Sequence, residues 1–355
     1  MQASCDSRSL SIPLGHLEEA TVISRLNRFV ALVNLKGREV QAHVADSGRL
    51  KELLFPGNRV MIRKVLEENY SAAGTERKTR YDLVLAQYAR GSYAEPTKAG
   101  SPTSNTSNTE AQDTVKEKHP CYKPSGVSVG CTGDSVDPGK IASRDPLDGE
   151  TGMGRSFSGK PIWVSVDTRY PNRLFEQALV TRKLAQFERY TSVRREYAVG
   201  NLTATELTGA SPEPSRGKDP RTTGSRKIGS RIDFLLEGPD IPPALVEVKS
   251  VTLCRNGIGL FPDAPTERAV RHLRELTEAI QAGYYPYIIF IAQREDVRAV
   301  AANKETDPVF AKALEEAYLA GVKVLAYRCK VSPQEIRLDP SILPILFEDG
   351  YHLPG

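Results

Sequence analysis

Three charged side chains interrupt two otherwise apolar segments, and their types and spacing suit metal-dependent phosphodiester chemistry. Asp233 lies within "SRIDFLLEG", and Glu247 and Lys249 lie within "ALVEVKSVTL". Residues i and i+2 of a strand point to the same face, so Glu247 and Lys249 project together. Asp233 meets Glu247 if the two strands are neighbours. Charged groups are rarely buried unless they are paired or bind a metal, so the interruption predicts a site.

Two carboxylates at the rim of one sheet repel each other. At about 4 Å the cost is roughly 4 kcal/mol for an effective dielectric near 20. A divalent cation removes this cost, and oxygen ligands with room for water favour Mg²⁺, or else Mn²⁺. Lys249 would then orient or deprotonate a water, or stabilise a developing phosphorane. The E-x-K spacing alone is not specific, because a second copy, Glu76 to Lys78, occurs in a polar stretch that is typical of a solvated charge run. The alternative for Asp233, Glu247 and Lys249 is a cross-strand salt bridge at a sheet edge.

The elements that must position these residues predict an α/β domain over 161–345 with a central mixed sheet. An amphipathic helix in "DTRYPNRLFEQALVTRKLAQFERY" carries Glu176 and precedes three strands, of which the last two hold the charged residues. A helix in "APTERAVRHLRELTEAIQAG" follows, with Thr266 as N-cap and Gly283 as its stop. The apolar "YYPYIIFIAQ" is predicted to be a buried strand, followed by a further helix and strand.

Residues 20–91 predict a small OB-like β-barrel, with a hairpin at "KG" and one helical turn in "SGRLKELLFPG". Ser47, Gly48 and Arg49 at the start of that helix would bind phosphate. A plain N-capped helix between barrel strands is the equal alternative.

The remaining segments are polar. Residues 92–160 and 200–229 are rich in small and polar residues and predict disordered insertions, and residues 1–19 predict a flexible N-terminus. An adaptor role for the first insertion is a third, weaker hypothesis. Five scattered cysteines favour reduced thiols, and the lack of a signal or membrane-length apolar run predicts a cytoplasmic location and no membrane partner. The net charge of +4 permits a nucleic-acid partner without requiring one.

Several ordered blocks resemble the sugar fermentation stimulation protein A (SfsA) family. They are "AHVADSGRLKELLFPG", "VDTRYPNRLFEQAL", "GSRIDFLL", "VEVKSVTL", "LFPDAPTERAVRHLRELTEA", "FIAQR" and "GVKVLAYR". The resemblance implies an N-terminal OB-like domain and a C-terminal restriction-endonuclease-like domain of the PD-(D/E)xK type. It also implies non-specific DNA binding and a regulatory role in sugar metabolism, particularly that of maltose.

The family motif transfers to single positions of this chain. It falls on Asp233, Glu247 and Lys249, with Glu176 as a further metal ligand and Gln293 as a later contributor to the active site. Three features depart from the family: Ala45 and Asp46 replace its usual Pro-Asn, Ala269 follows Arg268 in place of Gly, and the two insertions are not typical.

Two functions follow as hypotheses. The first is a DNA-binding protein with a Mg²⁺-dependent nuclease site, and the second is a DNA-binding regulator with little or no catalysis. A homodimer is compatible with both. Expected DNA contacts outside the barrel are Arg231, Arg268 and Arg271, although a solvated helix face is as good an account of the last two, which continue to Arg274. His43 and His272 are isolated, and each is predicted to be a core or surface histidine.

Overall fold

A computed structural model describes residues 10–65, 79–89, 160–198, 231–347 and 350–352. The predicted insertions at 92–160 and 200–229 therefore lie outside the described residues, apart from residue 160. The first strands, in chain order, are β1 (Ser11–Pro13), β2 (Glu18–Asn27), β3 (Val30–Leu35), β4 (Arg38–Val44), β5 (Arg59–Lys64), β6 (Tyr81–Tyr88) and β7 (Ile162–Ser165).

The N-terminal barrel is closed and confirms the predicted OB-like domain. β2 pairs with β3 and β5, β5 pairs with β6, and β6 returns to β4 in parallel through Tyr81 to Leu83. Positive φ angles at Lys36 (51°) and Gly37 (83°) match the right-handed twist of the β3–β4 hairpin. Alternate residues such as Val33 and Val60 fill the interior.

The barrel sheet extends beyond its predicted C-terminal boundary at residue 91. β7 lies in the range predicted for the α/β domain, yet it pairs antiparallel with the second half of β6, from Leu85–Ser165 to Tyr88–Ile162. β4 pairs with the first half of β6, through Tyr81 to Leu83. The backbone groups of the second half need another partner on that side, and β7 supplies it. A strand from beyond the insertion therefore completes the barrel sheet.

The N-terminal segment is ordered from residue 10. β1 pairs antiparallel with a strand near the C-terminus, and Ile12 and Leu14 are buried. The predicted flexibility of 1–19 is thus wrong for its second half, because these two apolar side chains pack in a core. Residues 1–9 lie outside the described residues.

The segment "SGRLKELLFPG" contains one hydrogen-bonded turn, from Leu50 to Leu54, and no α-helix. Leu50 has a φ of 47°, in the left-handed region, which ends any helix that begins before it. The amides of Leu53 and Leu54 both donate to the carbonyl of Leu50, so this turn has the hydrogen bonds of a single helical turn. The Leu50 amide itself donates to the carboxylate of Asp263 from the other domain.

The α/β domain contains three α-helices and eleven strands within the described residues. They are α1 (Arg169–Val180), β8 (Ser192–Ala198), β9 (Arg231–Glu237), β10 (Ala244–Val251), β11 (Leu253–Arg255), β12 (Ile258–Phe261), α2 (Glu267–Gln281), β13 (Tyr285–Ala292), β14 (Ala299–Ala302), α3 (Pro308–Ala320), β15 (Lys323–Val331), β16 (Glu335–Asp339), β17 (Ile345–Phe347) and β18 (Gly350–His352).

A seven-stranded mixed sheet with the order β1-β16-β15-β13-β10-β9-β8 organises this domain, and β10, β13 and β15 are parallel. α1 packs in the core on one face, and α2 and α3 pack in the core on the other. A smaller sheet has the order β11-β12-β14-β17-β18. The predicted helices and the central mixed sheet are confirmed. No helix in the described part of the chain is long and apolar enough to cross a membrane.

One buried aspartate joins the N-termini of α2 and α3. Thr266 caps α2 as predicted by accepting from the Ala269 amide, and Gly283 follows the helix with a φ of 84°. Asp307 caps α3 through Oδ1, which accepts from the Phe310 amide at 2.9 Å, while its Oδ2 accepts from the Thr266 amide at 2.9 Å. The orientation of α2 therefore depends on a carboxylate from the next helix.

Replacing the Asp307 carboxylate should lower the free energy of unfolding, by an amount that depends on how many acceptor oxygens remain. We expect Asp307→Ala to lose both bonds and cost about 2–3 kcal/mol, because a cap is lost and the Thr266 amide has no acceptor. Asp307→Asn keeps one acceptor oxygen and should cost about half as much. Denaturant unfolding of the two variants measures the difference, and equal costs would contradict the double role.

Candidate active site

The centre of the site is the point where β9 and β10 diverge. Their pairing ends at Phe234–Val246, so the next backbone groups of β10 lack a strand partner on this side. Asp233 fills the gap, since its Oδ2 accepts from the Val248 amide at 2.8 Å. Its Oδ1 accepts from the Nδ2 of Asn172 on α1 at 2.9 Å. The predicted meeting of the two strands at Asp233 is therefore present.

Glu247 is buried beside Asp233 and is held by three donors. Its Oε1 accepts from Lys249 Nζ at 2.6 Å and lies 2.5 Å from Nδ1 of His272 on α2. Its Oε2 faces the Asp233 amide at 3.4 Å. Glu247 and Lys249 share a face of β10 as predicted, and their ion pair lies within one strand rather than across two.

Burial and charge act differently on the two carboxylates. Burial, together with the charge of Glu247, raises the pKa of Asp233 above its usual range. Burial alone would raise the pKa of Glu247 too, but Lys249 and His272 outweigh it and the pKa is lowered. The site thus stabilises the ionised form of Glu247 and disfavours the ionised form of the neighbouring Asp233. A small divalent cation fits this donor set, because proteins bind it through one or two carboxylates and water.

Glu176 is not part of this set. It forms an ion pair with Arg195 of β8, with 3.2 Å between Oε2 and Nη1. Asn172, one turn earlier on the same face of α1, contacts Asp233 instead. Across the described ranges, no group of three or more His, Cys, Asp or Glu side chains could hold a metal. The rotation of α1 thus presents Asn172 to Asp233 and pairs Glu176 with Arg195, and the role of Glu176 as a third metal ligand stays a prediction.

Gln293 is also separated from the predicted cluster. Its Nε2 donates to Ser250 Oγ at 2.8 Å. Ser250 alternates with Lys249 along β10, so the amide lies towards the opposite face of the strand from Glu247 and Lys249. The side chain is fully buried, and its Oε1 has no hydrogen-bond partner within the described structure. The predicted catalytic role of Gln293 is not supported by its position.

A four-residue ion network joins the barrel to the start of α1. Arg169 lies 2.6 Å from Asp167 and 2.9 Å from Asp82 of β6, and both aspartates are buried. Arg63 of β5 lies 3.6 Å from each of the same two carboxylates. Because Asn172 follows in the first turn of α1, this network fixes the helix that supports Asp233.

The predicted phosphate-binding turn at Ser47, Gly48 and Arg49 already contains carboxylates. The Gly48 amide donates to Asp46, and the Leu50 amide donates to Asp263 at 2.7 Å. An added Cβ on Gly48 would lie 2.8 Å from Asp263 and 2.9 Å from Asp46. Two of the turn's amides are thus occupied by internal acids, so a phosphate contact here is left to side chains such as that of Arg49.

The other expected DNA contacts lie at exposed positions. Arg231 pairs with Glu196 at 3.3 Å, and the Nε of Arg271 is 3.9 Å from Glu275. Arg268 is exposed on the same helix, α2. The structure brings none of these three into contact with Asp233 or Glu247, and their binding to DNA stays a prediction.

Two residues of the site were missed by sequence reasoning. His272 was predicted to be an isolated core or surface histidine, but it is fully buried and bonded to Glu247. Its signal was a polar residue on the otherwise apolar face of α2, between Ala269 and Leu276. Asn172 carried no signal apart from lying one turn before Glu176. Of the cysteines in the described residues, Cys254 and Cys329 are buried free thiols.

Fold and site together define a two-domain protein with an OB barrel and a restriction-endonuclease-like α/β domain. The family model described as the sugar fermentation stimulation protein RE domain matches residues 210–335, and the SfsA N-terminal OB domain matches residues 23–94. The sugar fermentation stimulation protein homolog of Moorella thermoacetica is 32% identical over 331 residues, covering 93% of this chain and 96% of that protein. The chain belongs to the sugar fermentation stimulation protein family.

Two further comparisons agree with this assignment. The homolog of Symbiobacterium thermophilum is 34% identical over 333 residues, covering 91% of this chain and 92% of that protein. The solved structure of Pyrococcus furiosus SfsA in complex with Ca²⁺ matches with a TM-score of 0.59 and 22% identity. That match covers 96% of this chain and 99% of the other, and it supports the fold.

Three acids, Asp46, Glu52 and Asp263, lie at the turn that contains Gly48, and we call this group the acidic turn. It should make the free energy of unfolding depend on pH. Burial raises the pKa of Glu52 from 4.5 to about 7, and burial raises the pKa values of Asp46 and Asp263 as well. The folded protein then binds the Glu52 proton more tightly than the unfolded chain, so stability falls as pH rises from about 4.5 to about 7. We expect Glu52→Gln to be more stable than wild type by up to about 3 kcal/mol at pH 8, and by much less at pH 5.

Urea unfolding at the two pH values measures this effect. Glu39→Gln, at an exposed position of β4, is the matched control and should change little at either pH. An equal stabilisation by Glu52→Gln at pH 5 and pH 8 would contradict the raised pKa of Glu52.

Proposed function

We propose that this chain is a DNA-binding protein with a divalent-metal-dependent phosphodiesterase site at Asp233, Glu247 and Lys249. The observation that carries the proposal is the buried pair of carboxylates at the divergence of β9 and β10, with Lys249 Nζ 2.6 Å from one of them. A salt bridge alone explains Glu247 and Lys249. It does not require a second carboxylate beside them, and the charge of Asp233 is penalised there.

Asp233 and Glu247 would hold the cation, and Mg²⁺ or Mn²⁺ suits their oxygen donors. The Ca²⁺ in the complex of the Pyrococcus furiosus protein supports a divalent ion in this family. When bound, the cation supplies charge stabilisation for a transferring phosphoryl group.

The chain's own residues have separate tasks in this proposal. Lys249, whose side chain is 12% exposed, can reach a phosphate and stabilise charge that develops on it. Asn172 and the Val248 amide orient Asp233. DNA would be bound through its backbone, with Arg268 and Arg271 as side-chain contacts, and a DNA partner implies a cytoplasmic protein.

A second candidate is a non-specific DNA-binding regulator of sugar metabolism, including that of maltose, with little or no cleavage. The observation in its favour is that both oxygens of Asp233 already accept hydrogen bonds, while Glu176 is paired elsewhere. In this case the carboxylates would be a remnant of the fold.

Cleavage of labelled single- and double-stranded DNA with Mg²⁺ or Mn²⁺ separates the two candidates. We expect metal-dependent cutting that falls at least about a hundredfold in Lys249→Met, because the charge at the phosphate is lost. Lys78→Ala alters the second E-x-K pattern and should cut like wild type. Circular dichroism verifies that each variant folds.

Binding without cutting by the wild type would favour the regulator. Cutting that survives in Lys249→Met would show that the activity comes from another site or from a contaminant.

DNA affinity should depend strongly on salt, because backbone contacts release counterions. We expect wild-type affinity to fall at least about tenfold between 50 and 200 mM salt. Arg268→Ala combined with Arg271→Ala should flatten the slope of log affinity against log salt by about two. Fluorescence anisotropy measures both slopes. Arg337→Ala, on the exposed side of β16, is the control, and an equal change in that variant would remove α2 from the interface.

A further inference from the structure

His272 is joined to the proposed metal site through one oxygen of Glu247. The side chain is fully buried on α2, and Nδ1 lies 2.5 Å from Glu247 Oε1. The same oxygen accepts from Lys249 at 2.6 Å. A carboxylate only accepts hydrogen bonds, so the proton of this contact resides on the imidazole Nδ1.

Because both donors contact Oε1, the two oxygens of Glu247 have different partners. Oε1 is engaged by His272 and Lys249, while Oε2 faces Asp233, and among the described residues its one hydrogen bond is the long 3.4 Å contact to the Asp233 amide. A cation placed between the two acids would meet Oε2. If the donors on Oε1 were lost, the group could rotate about its last bond and present either oxygen.

Packing alone does not account for a histidine at this position. The neighbouring buried residues on α2, Ala269, Leu273 and Leu276, are apolar. The other imidazole nitrogen, Nε2, is buried without a hydrogen-bond partner among the described residues. An unpartnered buried polar atom lowers stability, so a helix selected only for packing would carry an aliphatic residue here.

We propose that His272 is a positioning residue that fixes Glu247 through Oε1 and leaves Oε2 as the oxygen for the divalent cation. This inference rests on the proposed metal site, and it adds a residue that does not touch the cation. It assigns to α2 a direct part in shaping the site, beside its packing against the sheet. Outer residues of this kind orient metal-binding side chains and affect affinity strongly when replaced.

The test is calorimetric titration of the full chain with Mn²⁺ alone, without nucleic acid. Asn places its amide nitrogen where the imidazole has Nδ1, whereas Gln places it nearer the position of Nε2. We expect His272→Asn to bind Mn²⁺ within a few-fold of wild type. We expect His272→Gln and His272→Leu to bind about 10- to 100-fold more weakly.

Leu276→Met is the matched control, since it changes packing one turn later on the same buried face without touching Glu247. It should leave Mn²⁺ affinity unchanged. The Asn and Gln pair keeps the test valid if His272→Leu does not fold, because both variants are polar and similar in size.

The outcomes separate this inference from the proposed function. If wild type binds no Mn²⁺, the proposed metal site fails and the inference fails with it. If wild type binds but Asn and Gln variants bind equally, or if Leu276→Met weakens binding as much as they do, only the positioning role is overturned. A Gln variant weaker than the Asn variant supports it.

Discussion

The separation of β9 from β10 after the Phe234–Val246 pair is the constraint on which the rest of the site depends. The register of this ladder, continued by one pair, sets Asp233 opposite Glu247 on the same face of the sheet. Because the ladder stops at this point, the Asp233 carboxylate also takes the Val248 amide. The backbone requirement for a hydrogen bond and the placement of a buried acid are therefore satisfied by one contact.

Asp233 and Glu247 lie close together, and helices on both faces of the sheet supply the hydrogen bonds that hold them. α1 provides Asn172 on one side, and the ion network of Arg63, Asp82, Asp167 and Arg169 fixes its first turn to the barrel. α2 provides His272 on the other side, and Asp307 ties the start of α2 to α3. The OB barrel thus has a structural part in the site in addition to any part in DNA binding.

Features set by local sequence could be predicted, and features set by distant contacts could not. Alternation in β9 and β10 placed Glu247 and Lys249 on one face, and Thr266 marked the start of α2. The pairing of β7 with β6 and of β1 with β16 depends on strands far apart in the chain. The choice of Asn172 over Glu176 depends on the rotation of α1, which amphipathic spacing defines only to within one turn. His272 was visible as a polar residue on an apolar face, but its partner lies on another element.

The most direct test of the account is a crystal of this protein grown or soaked with Mn²⁺ and measured for anomalous scattering. The account predicts one strong peak between Asp233 and Glu247, in contact with Glu247 Oε2. No peak at that position, or a peak only in the acidic turn at Asp46, Glu52 and Asp263, would contradict it. In that event the divergence of β9 and β10 would be a feature of the fold that serves binding, and the chemistry would have to be sought elsewhere in the chain.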